Sequence, residues 1–304
     1  NLDIWRQPGS SWEDEEKIWK DLDEVFREAG FTLWPHQFCA VVKTPDLTYP
    51  ISNGFGYASP GRTDLNRIGN VGMLRRFDYT NPLSRAIRTP DGHDVIVRII
   101  VMGNEGHEHL KILRKLGTGE TSLFSNNHTL PMFGEFQFED ITFGIFPKVG
   151  GAMRDAWYYW AKNSVGDVVD MIMQMLEALA FIHSMNVTHR DAFHDNFLVQ
   201  WQPESLREKR ISVSRPRVYL IDFEVAIQFP PECPPHERVS VGFPLGGSFP
   251  DLAYYGRPHA PECVSGNPYD PFKLDVWQFG KSFWNFKVLD LSKSMGAIDS
   301  VFTF

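Results

Sequence analysis

The stretch Thr188-His189-Arg190-Asp191-Ala192-Phe193-His194-Asp195-Asn196 constrains this chain more than any other. Upstream, Val168, Ile172, Met175, Leu179 and Ile182 recur at three and four, which predicts a buried helix ending at His183. Downstream, Phe197-Leu198-Val199 reads as a short buried strand. A polar, charge-bearing loop therefore sits between two apolar elements. Taken alone, its Asp191 and Asn196 are turn and cap formers. The alternative is that they are presented to a ligand, and the choice depends on what the rest of the chain supplies.

Residues 11–30 alternate charge with Trp12, Ile18, Trp19, Leu22, Val25 and Phe26, spaced for a helix that packs by one face and stops at Gly30. Residues 44–72 are rich in Pro, Gly, Ser and Asn and read as a long irregular connection. From 73 the pattern turns to strands. Val95-Ile96-Val97-Arg98-Ile99-Ile100 is a buried β run entered by a Pro90-Asp91-Gly92 turn. Gly106 to Leu116 predicts a short helix with Leu110, Leu113 and Leu116 on one side. Two strands follow, 134–138 and 141–147, joined by Glu139-Asp140, and Val149-Gly150-Gly151 reads as a flexible joint. Beyond it the composition is helical. Met171, Met173 and Met175 are expected as core filling. The basic stretch 201–216 reads as a solvated hairpin extension, and Trp157-Tyr158-Tyr159-Trp160 as core packing. Arg217 to Asp222 returns as a strand, and a final helix holds Asp275-Val276-Trp277-Gln278-Phe279-Gly280.

In order, then, come a small β-rich lobe, a glycine joint and a larger helical lobe. His189-Arg190-Asp191, four residues and Asn196 resemble the catalytic loop of the protein kinases. Asp222-Phe223-Glu224 stands where that family has Asp-Phe-Gly, and Ala260-Pro261-Glu262 matches its Ala-Pro-Glu. Asp275-Val276-Trp277 begins the helix that follows. The resemblance runs from about residue 73 to the end and implies an α+β, bilobal protein kinase-like fold. Its divisions would be an N-terminal helix and arm over 1–72, a β-rich lobe over 73–148 and a shortened, mainly helical lobe over 149–304.

The resemblance also implies roles. Phosphoryl transfer is mostly positioning and charge neutralisation. Asp191 would accept a hydrogen bond from the acceptor hydroxyl, and Arg190 would tie the loop to the activation segment. Asn196 and Asp222 would offer hard oxygens to magnesium. His189 would be a structural residue under the Asp-Phe-Glu turn. Arg98, Glu108, Phe146 and Val149 would lie at the nucleotide, with Arg98 in the place of the family's strand lysine and Glu108, or else Glu105, as its partner. Glu224 has two readings. It either damages the Asp-Phe-Gly turn or, as in the similar motif of the aminoglycoside and choline kinase group, is a further metal ligand.

Three departures bear on activity. The place of the phosphate-covering Gly-rich loop falls near Arg76 to Leu83, where there is no glycine. Arg98 keeps the charge of a lysine but is planar and bulkier. Phe193 stands two residues after Asp191, where Ser/Thr kinases commonly carry a lysine, and so removes a cation near the transferred group. In addition, Asp222 lies 31 positions after Asp191, a longer interval than the resemblance implies. No Arg follows Glu262, and the lobe is short; one expectation is that residues 1–72 fill the space of missing helices.

The net charge of −8 argues against general affinity for nucleic acid or anionic membrane, and no apolar run is long enough to span a bilayer. Cys39, Cys233 and Cys263 form no metal-ligand spacing, which suits a reducing compartment, cytoplasmic or nuclear. Two functions follow. One is a divergent kinase-like domain, nearer a pseudokinase, that works by binding protein partners. The other is an active phosphotransferase that uses ATP and magnesium on a protein or small-molecule hydroxyl. Ser240 and Ser248 lie in the segment that phosphorylation would address.

Overall fold

The computed structural model describes residues 12–45, 76–79, 81–149, 151–153, 165–200, 217–247, 249 and 251–283. The aromatic run 157–160, the basic stretch 201–216, Gly150, Ser248 and most of the irregular connection lie outside these residues. The chain is α+β and divides into two units. One comprises described residues of 12–110 and 130–149 with Gln200, the other those of 111–129, 151–199 and 217–283.

The first unit opens with helix α1, Trp12–Glu28. Its buried residues Trp19, Leu22 and Phe26 pack against Leu83, Ile87, Val95, Val97, Ile99 and Phe143 of the adjoining sheet. Each large side chain so buried is worth about 1.5–3 kcal/mol. The helix ends at Gly30 (φ 84°). There Gly30 N–H donates to Arg27 O at 3.0 Å and Phe31 N–H to Phe26 O at 2.8 Å. This is the paired C-terminal bonding that a left-handed glycine permits. The rings of Phe31 and Phe26, 6.3 Å apart, complete it. Glu16 and Arg85 form a buried ion pair at 2.8 Å that fixes the helix along the sheet.

The sheet contains β1 (Thr32–Leu33), β5 (Ser84–Arg88), β6 (Asp94–Met102), β7 (Gly134–Phe138) and β8 (Ile141–Pro147) in the order β1-β5-β6-β8-β7. The pairings are antiparallel. Between its first two strands the chain builds a second sheet of β2 (His36–Phe38), β3 (Val41–Lys43) and β4 (Arg76–Asp78). Helix α2, His107–Gly117, follows β6 and buries Leu110, Leu113 and Leu116 as expected.

Residues 12–45 thus build onto the β-sheet. The expectation that the N-terminal arm substitutes for missing C-terminal helices does not hold for them, because the apolar face of α1 is spent on β5, β6 and β8.

In the second unit, β9 (Gly151–Ala152), β11 (Phe197–Gln200) and β12 (Arg217–Leu220) form one small sheet in the order β12-β11-β9. The supposed joint therefore begins a strand, with Ala152 opposite Leu198. Helix α3, Val165–Ser184, buries Val168, Met171, Met175, Ala178, Leu179 and Ile182. Met173 is 56% exposed, so only two of the three methionines fill the core. Strand β10 (Val187–Thr188) pairs with β13 (Ile227–Gln228) and brackets the polar loop. Two helices close the described chain, α4 (Pro261–Ser265) and α5 (Pro271–Ser282), the latter capped by Asp270. No helix among the described residues is long and apolar enough to cross a membrane.

Candidate active site

One face of α5 holds the polar loop by its backbone. Asp275, fully buried, accepts from His189 N–H at 2.8 Å with Oδ2 and from Arg190 N–H at 2.6 Å with Oδ1. One turn on, Gln278 accepts from Ala192 N–H at 2.9 Å and donates to Arg190 O at 2.7 Å. Another turn on, Ser282 Oγ accepts from His194 N–H at 3.1 Å. Spacings of three and four place these side chains on one stripe of the helix. The stripe meets loop groups that no sheet or helix satisfies, and buried groups of this kind need a partner. His183, at the end of α3, also donates to Asp275 Oδ2 at 2.8 Å.

Within the loop each side chain has a definite task. His189 Nε2 lies 2.8 Å from Ile221 O, a carbonyl that only accepts, so the proton is on Nε2. Nδ1 is then free to accept Asp191 N–H, at 3.2 Å. The imidazole stacks edge-on against Phe223, 4.9 Å away, and is the structural residue expected under the Asp-Phe-Glu turn. Arg190 adopts φ 66° and its Nη1 donates to Val225 O at 3.2 Å, tying the loop to the segment after Glu224. Asp222 is also left-handed, at φ 68°. Left-handed non-glycine residues are uncommon and collect where a site needs a particular backbone direction.

Asn196 Nδ2 donates to Asp191 O at 2.7 Å and to Asp191 Oδ2 at 2.6 Å. Both amide hydrogens are thereby committed, which fixes the amide and leaves Oδ1 as an acceptor. Asn196 O in turn receives Ile221 N–H at 3.0 Å, which brings Asp222 beside it in the chain. Glu224 packs on Gly247 (φ 55°): a Cβ there would lie 2.4 Å from Glu224 Cδ.

Asp191 is 4% exposed. Burial pushes its carboxyl above the ordinary carboxylate value, and the guanidinium of Arg257 pulls it back. Arg257 Nε donates to Asp191 Oδ1 at 2.9 Å and Nη2 to Asp191 Oδ2 at 2.7 Å. Its Nη1 reaches Asp195 Oδ2 at 2.5 Å. Burial works against the charge on Arg257, but the two carboxylates outweigh it and hold the group firmly cationic.

The structure thus brings together Arg190, Asp191, Asn196, Asp222 and Glu224 in the second unit, and places Arg98, Glu108, Phe146 and Val149 in the first. Arg98 lies on β6 opposite Gly144. Phe146 and Val149 are buried, and Glu108 is exposed in the first turn of α2. A Cβ at Gly144 would meet the Phe146 ring at 2.7 Å, so the glycine seats that ring. The stretch in which a Gly-rich loop was sought is instead packed. Arg76–Asp78 pairs with β3. Tyr79 is buried with Trp34, Val42 and Ala86, with Phe77 against them.

Asp275, Gln278 and Arg257 were not among the residues expected at the site. Asp275 and Gln278 were visible only as motif letters. Arg257 lies in Gly256-Arg257-Pro258, which carries no periodicity or spacing to mark it.

The loop, the turn at Asp222 and the helix that anchors them agree with comparisons to known proteins. Residues 158–288 match the protein kinase domain family. Over that stretch the chain is similar to the protein kinase-like superfamily. Among its relatives, the serine/threonine-protein kinase ppk8 of Schizosaccharomyces pombe is 31% identical over 107 residues, 35% of this chain and 17% of that protein. The serine/threonine-protein kinase PAK mbt of Drosophila melanogaster is 29% identical over 131 residues, 43% and 16% of the two chains. A probable casein kinase II subunit alpha homolog of Encephalitozoon cuniculi is 28% identical over 114 residues, 38% and 28%. The matched region spans under a third of the length of each relative.

Proposed function

We propose that this kinase-like domain serves mainly as a regulatory or binding module for a protein partner, nearer a pseudokinase than an efficient enzyme. The observation that carries this reading is the packing of Phe77, Tyr79 and Leu83, where a Gly-rich loop was expected. Tyr79 and Phe77 form a small core with Trp34 and Val42. Phosphate binding needs a bare backbone that can approach the ligand closely. Arg98 in place of a lysine and Phe193 in the loop weaken the hold on phosphate further.

ATP and magnesium are the cofactors the family implies. Asn196 Oδ1 and the Asp222 carboxylate suit a hard cation, since both Asn196 N–H groups are already used on Asp191. Magnesium, when bound, would neutralise phosphate charge. Among the described residues no group of three or more His, Cys, Asp or Glu gathers as a metal centre of its own. The free thiols Cys39, Cys233 and Cys263 support a reducing compartment, cytoplasmic or nuclear.

The second reading is an active phosphotransferase acting on a protein or small-molecule hydroxyl, with Asp191 orienting the acceptor. It is favoured by the α5 clamp, which keeps the loop in a defined shape. Radiolabelled ATP with magnesium, incubated with the protein and a generic acceptor, separates the two. The regulatory reading expects transfer no faster than that of Asp191→Asn. Turnover that Asp191→Asn abolishes establishes the second reading instead.

A further inference from the structure

Phe193 removes the cation that the kinase loop commonly carries, yet Asp191 does not lack one. Arg257 reaches it from the segment ahead of Ala260-Pro261-Glu262 with a two-point grip, at 2.9 and 2.7 Å. Its Cζ lies 5.1 Å from the centre of the Phe193 ring and 5.8 Å from that of Phe249. The residue that displaces the loop cation is therefore the platform on which the replacement rests. Arg257 is only 20% exposed, so water screens this pair weakly.

We propose that Arg257 is a positioning residue that supplies the missing loop cation from outside the loop, and that it thereby couples Asp191 to the segment 251–257. The two sides of this contact differ in rigidity. Asp275, Gln278 and Ser282 fix the loop. The segment holds itself by local turns, with Tyr254 N–H donating to Asp251 O and Tyr255 N–H to Leu252 O, both at 3.2 Å. Residues 251–254 are exposed. Both oxygens of Asp191 accept from Arg257, and Oδ2 accepts from Asn196 as well. Arg257 thus competes with an acceptor hydroxyl for Asp191, and a protein bound to the exposed turn would shift that competition. The inference deepens the regulatory reading, and its test reads stability and exchange rather than phosphotransfer, so the two can fail separately.

The test uses the full chain with Arg257→Gln, Phe193→Lys, the double variant and Asp191→Asn. Thermal unfolding and amide exchange over 251–257 are measured for each. Arg257→Gln is expected to lower Tm and to speed exchange in 251–257 by about tenfold or more. Asp191→Asn, in a different element, should speed the same amides, and it gives this reading even if Arg257→Gln does not fold. Phe193→Lys should lower Tm in the parent, where two cations then compete, but raise it in the Arg257→Gln background while the segment stays fast. A Phe193→Lys penalty equal in both backgrounds would reduce Arg257 to a packing residue. Unchanged protection of 251–257 in Asp191→Asn would show that stacking, not the carboxylate, holds the segment. Either result overturns the proposal.

Discussion

Replacing Asp275 by alanine tests the claim that α5 builds the polar loop 188–196. The buried carboxylate accepts from His189 N–H at 2.8 Å, Arg190 N–H at 2.6 Å and His183 Nε2 at 2.8 Å. A hydrogen bond to a charged group is worth about 1.5–3 kcal/mol, and removing the acceptor also leaves buried donors unsatisfied. These losses overlap, so about 3–5 kcal/mol is expected, the range for breaking a buried charged network. At roughly 2–4 °C per kcal/mol, Tm should fall on the order of 10 °C. Asp275→Asn should fall nearly as far, because its amide nitrogen must face one of the two backbone donors. The neighbouring Val276, 59% exposed, is the control: Val276→Ala should stay within about 0.5 kcal/mol of the parent. Differential scanning calorimetry of the three variants gives the answer. A fall of less than about 2 °C in Asp275→Ala would refute the clamp, since that is below the effect of a single such bond.

Gly247→Ala should destabilise by about 1–3 kcal/mol, because its Cβ would meet Glu224 Cδ at 2.4 Å in a left-handed backbone. Glu224→Ala in the same chain should recover part of that loss by removing the clash, which denaturant titration of the single and double variants measures. Lys148 gives a pH-dependent effect of defined sign. Burial lowers its pKa from 10.5 to about 8, while Asp94 and Asp78 partly oppose the shift. Between about 8 and 10.5 the unfolded chain holds this proton more tightly than the folded one, so Lys148 makes stability rise with pH across that window. Lys148→Met should remove that rise, seen as the difference between the two Tm–pH curves.

Much of the fold was legible because its signals are local. The three-four spacing of Trp19, Leu22 and Phe26 marked α1, and Gly30 marked its end. The apolar run around Arg98 marked β6, and the helix before His183 marked α3. The packing side of the N-terminal helix was not legible, since an amphipathic stripe shows that a face is buried but not what covers it. Met173 failed for a related reason: in a helix this rich in apolar residues, an apolar side chain can also face outward. Asp191, Asn196 and Asp222 were singled out by motif order. Arg257 was not, because a contact 66 positions apart leaves no trace in spacing. The connection ahead of β5 was not legible either, because strands of two or three residues leave no alternation to read. Here the connection between β1 and β5 carries a sheet of its own.

The central claim is that the loop is built while the nucleotide hold is weakened. Thermal stabilisation by 1 mM ATP with magnesium tests it, in the parent and in Asp222→Ala. Binding at a dissociation constant near 1 mM or weaker stabilises by at most about 0.4 kcal/mol, a shift of roughly 1 °C, and this is the predicted result. A dissociation constant near 10 μM would give about 2.7 kcal/mol and a shift of at least 5 °C. A shift of that size, abolished by Asp222→Ala, would contradict the account and show a nucleotide site that is intact.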